Sequence, residues 1–323
     1  MTKNFLRDYT LFISGPKYKE YSGSNSSQIS REITDPIHIK FNITKTILRD
    51  ANMAEITLYN LNPNTEREII LEGTQVILMA GYKDNKGIIF KGQIFQPLRG
   101  KENGTDYYLK LVCLDGDAYL NLAFVSGTIE ANSTRKQLAE QIVRAGTIEL
   151  DSVDTSQLPE YNFVDGSIPS SERAKVVFGD PSKYLQDISR MGNSTFYIDN
   201  NQGKFFNPIA ENSQISQAHD INIDTGMIGR PQQIDYGVEI RCLLNPSIFL
   251  GDFVKIDNKT VITQQYNYQD IPYLLDEDGI YRVIKINYDG DSRGQNWYCN
   301  LMAITQGGVI PSMLIGQYGN LMV

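Results

Sequence analysis

Hydrophobic and polar residues alternate through most of the first 115 residues, which is the pattern of strands with one buried face. The alternation is clearest in IHIKFNIT, residues 37–44, and continues in MAEITLY, residues 53–59. Residues 76–95 read as a long hairpin with its turn at Asp84-Asn85-Lys86-Gly87, where Gly87 can adopt positive φ. About six strands separated by short turn signals predict a barrel or a sandwich for this segment.

A helical period interrupts the strands between residues 116 and 230. Thr134 and Gln137 have the spacing of a capping box ahead of an apolar helical stripe. Asp180 is placed to cap a second helix that begins at Pro181. This segment is therefore predicted to be a smaller α/β insert in a mainly β chain.

Strand patterns return from residue 231, and they repeat features of the first segment. GTQVIL, residues 73–78, has a counterpart in GDFVKI, residues 251–256. Paired residues also open successive strands in both segments, namely Phe90-Lys91 and Tyr107-Tyr108 in the first, and Tyr281-Arg282 and Trp297-Tyr298 in the second. Any two amphipathic hairpins share alternation and turn glycines. We nevertheless interpret the echo as two copies of one β unit.

The composition argues against some classes of function. A net charge of −8, a pI near 5.0 and the lack of a Lys/Arg cluster argue against a nucleic-acid-binding surface. Cys113, Cys242 and Cys299 lie in apolar runs and are predicted to be buried rather than metal-binding or redox-active. The sequence shows no signal-peptide pattern and no apolar stretch of membrane-spanning length, so we predict no membrane anchoring.

Candidate catalytic and metal-binding residues are sparse. His38 and His219 lie far apart in sequence, His38 on the expected wet face of a strand, and no nucleophile motif accompanies either. Acidic turns at residues 115–117, 276–279 and 289–291 lack the calcium-loop pattern and are interpreted as hairpin turns. We therefore predict no catalytic, cofactor-binding or metal-binding residues.

The last seventeen residues are the candidate surface for binding a partner. Five apolar side chains stand there among glycines without a clear helical period: Val309, Ile310, Met313, Leu314 and Ile315. Such side chains either pack on their own chain or dock on another protein, and we favour a partner.

Several motifs carry a resemblance to a known family. They are the N-x-A-x-I-x-L-Y-N-L core of residues 52–61, the A-G-Y of residues 80–82 and the I-F-K-G-x-I of residues 89–94. Together they resemble the baseplate hub proteins of contractile-tailed bacteriophages, the Mu-like or late control protein D-like hubs. The runs LLNPSIFLGDFVKI and IYRVIKINYDGDSRGQNWYCNLMAI are similar to the second barrel of this family. The resemblance covers most of the chain and is weakest in the middle insert and in residues 17–33.

The resemblance implies two tail-tube-like antiparallel β-barrel domains in one chain. The implied segments are a first barrel at 1–115, an α/β middle domain at 116–230, a second barrel at 231–306 and a partner-binding tail at 307–323. It also implies a homotrimer forming a pseudo-hexameric ring that joins the hexameric tail tube protein to the trimeric central spike protein. Other baseplate proteins are further expected partners, and DNA would only pass through the lumen. The expected location is the virion tail baseplate, after assembly in the bacterial host cytoplasm.

Symmetry gives this expectation a physical basis, because three chains with two like barrels each offer six quasi-equivalent units in a ring. Two other functions stay open from the sequence. One is a hub-associated peptidoglycan hydrolase whose middle domain is catalytic. The other is a carbohydrate-binding β-module, for which Tyr266 and Tyr268 could stack on sugars.

Overall fold

The computed structural model describes residues 6–16, 28–48, 50–70, 74–158, 170–171, 173–191, 194–207, 218–234, 237–262, 275 and 278–305. The fold is mainly β, as the sequence predicts. The chain divides into two compact units. Unit 1 takes the described residues within Met1–Lys45, Asn52–Asp115 and Asn212–Thr305, and unit 2 takes those within Thr46–Ala51 and Gly116–Glu211.

The first part of unit 1 contains seven strands and one short helix. In chain order these are β1 (Arg7–Pro16), β2 (Gln28–Thr34), β3 (Ile39–Thr46), β4 (Asn52–Tyr59), α1 (Pro63–Ile69), β5 (Gln75–Tyr82), β6 (Asn85–Glu102) and β7 (Asp106–Asp115). The predicted alternation is confirmed in β3, where Ile39, Phe41 and Ile43 are buried and the residues between them are not.

The hairpin between β5 and β6 turns earlier than predicted. Tyr82 pairs with Asn85, so the turn residues are Lys83 and Asp84. Gly87 lies within β6 and does not have positive φ. Gly81 is the glycine that the hairpin requires, because a Cβ there would overlap the backbone oxygen of Asn85.

Unit 2 contains three helices and seven short strands. They are α2 (Asp117–Leu122), β8 (Val125–Ile129), β9 (Ser133–Thr134), α3 (Arg135–Ala145), β10 (Ser152–Asp154), β11 (Ser170–Ser171), β12 (Lys175–Gly179), α4 (Pro181–Met191), β13 (Thr195–Asp199) and β14 (Gln202–Phe206). The capping box of Thr134 and Gln137 is confirmed, since each side chain accepts the backbone N–H of the other. Asp180 accepts the N–H of Ser182 at 2.8 Å, as predicted for the cap of α4.

The second part of unit 1 adds six strands and one turn of 3₁₀ helix at Asn258–Thr260. The strands are β15 (His219–Asp220), β16 (Gln232–Ile234), β17 (Gly237–Leu243), β18 (Phe253–Lys255), β19 (Ile280–Asp291) and β20 (Trp297–Thr305). All three cysteines are buried and none forms a disulfide; they are Cys113 on β7, Cys242 on β17 and Cys299 on β20.

The strands of both parts join into one 13-stranded sheet, with the order β16-β17-β20-β19-β3-β4-β7-β6-β5-β1-β2 and with β15 and β18 attached beside β19. Two sets of five strands within it have the same order, all with antiparallel pairing. Set A is β3-β4-β7-β6-β5, and set B is β16-β17-β20-β19-β18. Both predicted β segments therefore contribute to a single sheet, and the domain boundaries drawn from the sequence stay a prediction.

The two sets also agree in register. In set A, Val76 pairs with Gly92, and in set B, Val254 pairs with Tyr281. Gly92 rather than Phe90 is thus the counterpart of Tyr281, two residues from the position that the sequence echo suggests.

Each set carries a β-bulge at the same place. Phe95 is the extra residue of β6, opposite the step from Val112 to Cys113. Ile284 is the extra residue of β19, opposite the step from Met302 to Ala303, which is the equivalent step of β20. A bulge is a specific local feature, so its recurrence at one register position supports the duplication.

The connection that follows β4 resembles the connection that follows β17. Both run through Leu-Asn-Pro, at residues 61–63 and 244–246. In each, the asparagine side chain accepts a backbone N–H two residues on, from Asn64 to Asn62 at 2.9 Å and from Ser247 to Asn245 at 3.0 Å. The N-cap of α1 is therefore Asn62.

Candidate assembly interface

Sets A and B meet where β19 pairs with β3. The backbone N–H of Ser292 donates to the oxygen of Ile39 at 3.0 Å, and the N–H of Ile39 donates to Ser292 Oγ at 3.1 Å. The ring of Phe41 covers Gly290, where a Cβ would overlap that ring, and meets the ring of Trp297 edge-on at 5.3 Å. Hydrogen bonds between Ile39 and Ser292 and an aromatic contact thus hold the two sets together in one sheet.

A carboxylate network lies beside this junction. His38 Nε2 is 2.8 Å from Asp291 Oδ1, which also accepts the backbone N–H groups of Arg293 and Gly294 at 2.9 and 2.7 Å. Burial raises the pKa of the Asp291 carboxyl, but the hydrogen bonds from Arg293, His38 and Gly294 outweigh it and leave this pKa below its usual value. His38, predicted on the wet face of its strand, is half-buried by these contacts.

Tyr59 extends the network towards the end of β6. Its ring stacks on His38 with centroids 4.4 Å apart, and its hydroxyl donates to Glu102 Oε2 at 2.6 Å. Burial and the hydrogen bond with Glu102 raise the pKa of Tyr59. Lys40 Nζ lies 4.8 Å from the Tyr59 ring centroid, and its hydrogen bond with Tyr59 raises the pKa of the ammonium group.

Of these residues His38, Lys40, Tyr59, Glu102 and Arg293 line an open cavity of about 410 Å³. An acid–base pair such as His38 and Asp291 needs a nucleophile or a bound water to support hydrolysis. The residues that line the cavity include no Ser, Thr or Cys. The cavity therefore offers His38 no nucleophile of the Ser, Thr or Cys type.

The equivalent of the junction strand in set A is the far half of β6, residues 95–102, which we call the β6 arm. It pairs with β7 on one side, and no strand of the described chain pairs with its other side. Phe95 and Leu98 on the arm are 56% and 40% exposed, and Tyr107 on the neighbouring strand β7 is 59% exposed. An unpaired edge with exposed apolar side chains is a site where another strand can add.

Sequence reasoning missed the β6 arm, although one signal marks it. Pro97 stands inside the strand, and proline is confined to edge strands and bulges because it lacks an N–H. The residues favoured from the sequence, Val309, Ile310, Met313, Leu314 and Ile315, lie outside the described residues, as do Tyr266 and Tyr268. Their proposed contacts stay predictions.

The described residues of the acidic turns do not gather into a cation site; residues 276 and 277 of the 276–279 turn lie outside the described residues. Asp115 ends β7 beside Asn52, and Asp117 begins α2. Asp289 accepts from Asn296 at 3.1 Å, and His219 lies 3.5 Å from Asp252. Across the described residues, no three His, Cys, Asp or Glu side chains come close enough to hold a metal ion. Nor does that part of the chain include a helix with the length and apolarity needed to cross a bilayer.

Comparison with known families decides the relationship. The family described as baseplate hub gp41 matches residues 22–303. The chain belongs to the baseplate hub gp41 family. Membership covers both strand sets and the segment between them, and it supports a structural role in the phage tail baseplate rather than catalysis. No sequence among the curated proteins matches this hub protein.

Solved structures share the fold of the hub protein at low sequence identity. A tail protein from Neisseria meningitidis MC58 is 9% identical, with a TM-score of 0.55 over 94% of this chain and 98% of its own. The E. coli c3393 protein, a type VI secretion component described as similar to T4 bacteriophage tail proteins gp27 and gp5, is 12% identical, with a TM-score of 0.50 over 83% and 74%. A chain of the Francisella PdpA–VgrG complex is 9% identical, with a TM-score of 0.52 over 95% and 59%.

Proposed function

We propose that three copies of this hub protein form a pseudo-hexameric ring that joins the hexameric tail tube to the trimeric central spike. The observation that carries the proposal is the recurrence of one strand order, with its bulge, in sets A and B. Three chains with two such sets present six like units around an axis. One end of the ring can then meet a six-fold partner and the other end a three-fold partner.

The proposed segments follow from the same repeat. Residues 1–115 and 231–306 each form a tube-like β-barrel in the assembled ring, and residues 116–230 form the middle domain. The partners are the tail tube protein, the central spike protein and other baseplate proteins, in a virion assembled in the host cytoplasm. DNA contacts the ring only in passing, and the net charge of −8 supports a lumen along which DNA slides without sticking.

The decisive experiment measures the mass of the purified chain alone and with its spike protein by native mass spectrometry. The expected species are a trimer and a complex of three chains with one spike trimer. A chain that forms no trimer in either sample would remove the basis of the ring.

The tail at residues 307–323 is proposed to dock on the spike through Val309, Ile310, Met313, Leu314 and Ile315. Deleting the residues after Gly307 should leave the circular dichroism spectrum unchanged and abolish co-purification with the spike. Loss of the folded spectrum would instead assign the tail to the core of its own chain.

The hub is proposed to act by geometry, without a catalytic site, a cofactor or a metal. Membership of the baseplate hub gp41 family supports this part of the proposal. A peptidoglycan zymogram with lysozyme as the positive control should show no clearing by the purified chain. A cleared band would favour the hydrolase, and glycan binding without ring assembly would favour the carbohydrate-binding module.

A further inference from the structure

We propose that the β6 arm is the surface on which a second copy of this chain docks, and that this copy presents the strand edge at Met227 and Ile228. The inference deepens the proposed ring, since it rests on three chains closing head to tail. It names which two edges meet and in what register.

The first argument is the occupied counterpart of the arm. Counting from the paired bulges, Phe95 corresponds to Ile284, so the β6 arm corresponds to residues 284–291 of β19. In set B that stretch is flanked by β20 on one side and by β3 of set A on the other. One copy of the repeated unit thus has this strand edge paired, and the other copy has the same edge unpaired. We expect a strand of another chain to pair with the unpaired edge.

The second argument is the exposure of equivalent side chains. Ile284 and Trp297 in set B are each 2% exposed. Their counterparts in set A, Phe95 and Tyr107, are 56% and 59% exposed. The side chains are of similar apolar character, so the difference comes from the missing neighbour rather than from the sequence. Apolar side chains of this size at an open strand edge are typical of a surface that becomes buried on assembly.

The third argument identifies the edge that fits. Ile39 of β3 pairs with Leu58, and Met227 pairs with Cys242, which is the counterpart of Leu58. Met227 is therefore the counterpart of Ile39, the residue that bonds to Ser292 at the junction. By the same count Ser292 corresponds to Asn103, so Met227 of the second copy should lie beside Asn103. The N–H of Met227 already donates to the oxygen of Asn222 at 2.8 Å, so the expected bond runs from the Asn103 N–H to the Met227 oxygen, as Ser292 donates to the oxygen of Ile39.

Two local features limit the pairing to this end of the arm. The backbone of Ile262 already bonds to Pro231 and Gln233 on the β16 side of the edge. Pro97 has no N–H to offer a neighbouring strand on β6. Both features lie away from Asn103 and Met227, so backbone pairing is confined to the end where β6 turns into β7. Phe95 and Leu98, towards the other end of the arm, are expected to be covered by side-chain packing without backbone pairing.

The first test replaces arm residues by charge. The double variant Phe95→Glu, Leu98→Glu should lose the trimer in sedimentation velocity and keep the circular dichroism spectrum. The matched control is Ile88→Glu, on the same strand and 41% exposed, but in the half that pairs with β5; it should remain trimeric. A double variant that stays trimeric would overturn the assignment of the arm while leaving the ring itself in place.

The second test measures the register directly and does not depend on destabilising the trimer. A chain with Asn103→Cys and Met227→Cys, mildly oxidised, should give covalent dimers and trimers on a non-reducing gel, because its three native cysteines are buried. Each single-cysteine variant should stay monomeric on the same gel. No crosslink in a trimeric sample would overturn the register. A wild-type chain that never trimerises, even with its spike, would overturn both ring and arm, whereas an arm-dependent trimer that binds neither tube nor spike would overturn the hub function alone.

Discussion

Sets A and B keep the same strand order and register but fill equivalent positions with different side chains. Leu58 and Leu109 face each other in set A, and Cys242 and Cys299 occupy the corresponding cross-strand pair in set B, with sulfurs 3.3 Å apart. The thiols therefore stand where the other set has leucines, which is the use of cysteine as a small buried hydrophobe. The hydrogen bond with Cys299 and burial together raise the pKa of Cys242, which keeps that thiol protonated.

The two sets differ most in what covers them. The first has the longer outer strands, since β3 and β5 each have eight residues while β16 and β18 each have three. The second has the more buried centre, because β3 of set A covers the far half of β19. A duplicated unit can therefore keep its strand order while one copy, set A, supplies the edge of β3 and the other copy, set B, pairs with it along β19.

The sharpest way to break the comparison is at Gly290, where the two sets differ most in available space. Gly290→Ala should lower the free energy of unfolding by about 2–3 kcal/mol, because the added Cβ overlaps the buried ring of Phe41. Lys101 is the equivalent residue on the open arm, so Lys101→Ala should change stability by less than about 0.5 kcal/mol. Urea titrations of both variants measure the difference, and equal effects would contradict the assigned equivalence.

Arg282 offers a second contrast, since its counterpart in set A is Gln93. Arg282 is buried, its Nε donates to the oxygen of Gly251 at 3.0 Å, and its guanidinium lies 5.2 Å from the Phe253 ring centroid. Arg282→Gln should cost about 2 kcal/mol in urea unfolding, because the Gly251 oxygen loses its partner in a buried site. Gln93→Ala, the matched control, should be nearly neutral, and a neutral Arg282→Gln would show that glutamine serves both sets equally.

Asp291 makes the junction sensitive to acid. Asp291→Asn should lose about 1–2 kcal/mol at pH 7, since the carboxylate accepts hydrogen bonds that an amide oxygen accepts more weakly. The pKa of Asp291 is lowered in the folded chain, so its contribution is present above the unfolded value of about 4 and is lost as the pH falls through the folded value. Urea unfolding of the two proteins should therefore converge at low pH. A gap that is constant with pH would argue against the ionised carboxylate as its cause.

The smallest expected effect separates two buried tyrosines. Tyr288 in set B donates its hydroxyl to the oxygen of Ile248 at 3.2 Å, whereas the Tyr119 hydroxyl in unit 2 has no partner among the described residues. Tyr288→Phe should lose about 1 kcal/mol, and Tyr119→Phe should be neutral or gain up to about 1 kcal/mol. Thermal unfolding of each variant gives the sign. A loss in both would mean that Tyr119 has a partner after all.

Features set by neighbouring residues could be read from the sequence. The alternation of β3, the capping box at Thr134 and the cap at Asp180 depend on side chains within a few residues of each other, and all are confirmed. The repeat was visible as well, because two strands and a turn glycine recur with similar spacing.

Features set by the register of strand pairing could not be read in the same way. The turn at Lys83 and Asp84 follows from the register of β5 on β6, which composition does not determine. The sequence pattern matched Tyr281 to Phe90 instead of Gly92, because a shift of two residues keeps every side chain on the same face of the strand. The unpaired edge of the β6 arm could not be predicted, because it is recognised only by comparison with β19, whose equivalent edge pairs with β3.

The bond between Ile39 and Ser292 also has a consequence for synthesis. The ribosome must add 253 residues after Ile39 before Ser292 exists. At about 5–20 residues per second, the edge of β3 stays without its partner for about 10–50 s in every nascent chain. During that interval a neighbouring nascent chain on the same messenger carries the same unpaired β3 edge. Two such chains can therefore pair with each other before either has made Ser292.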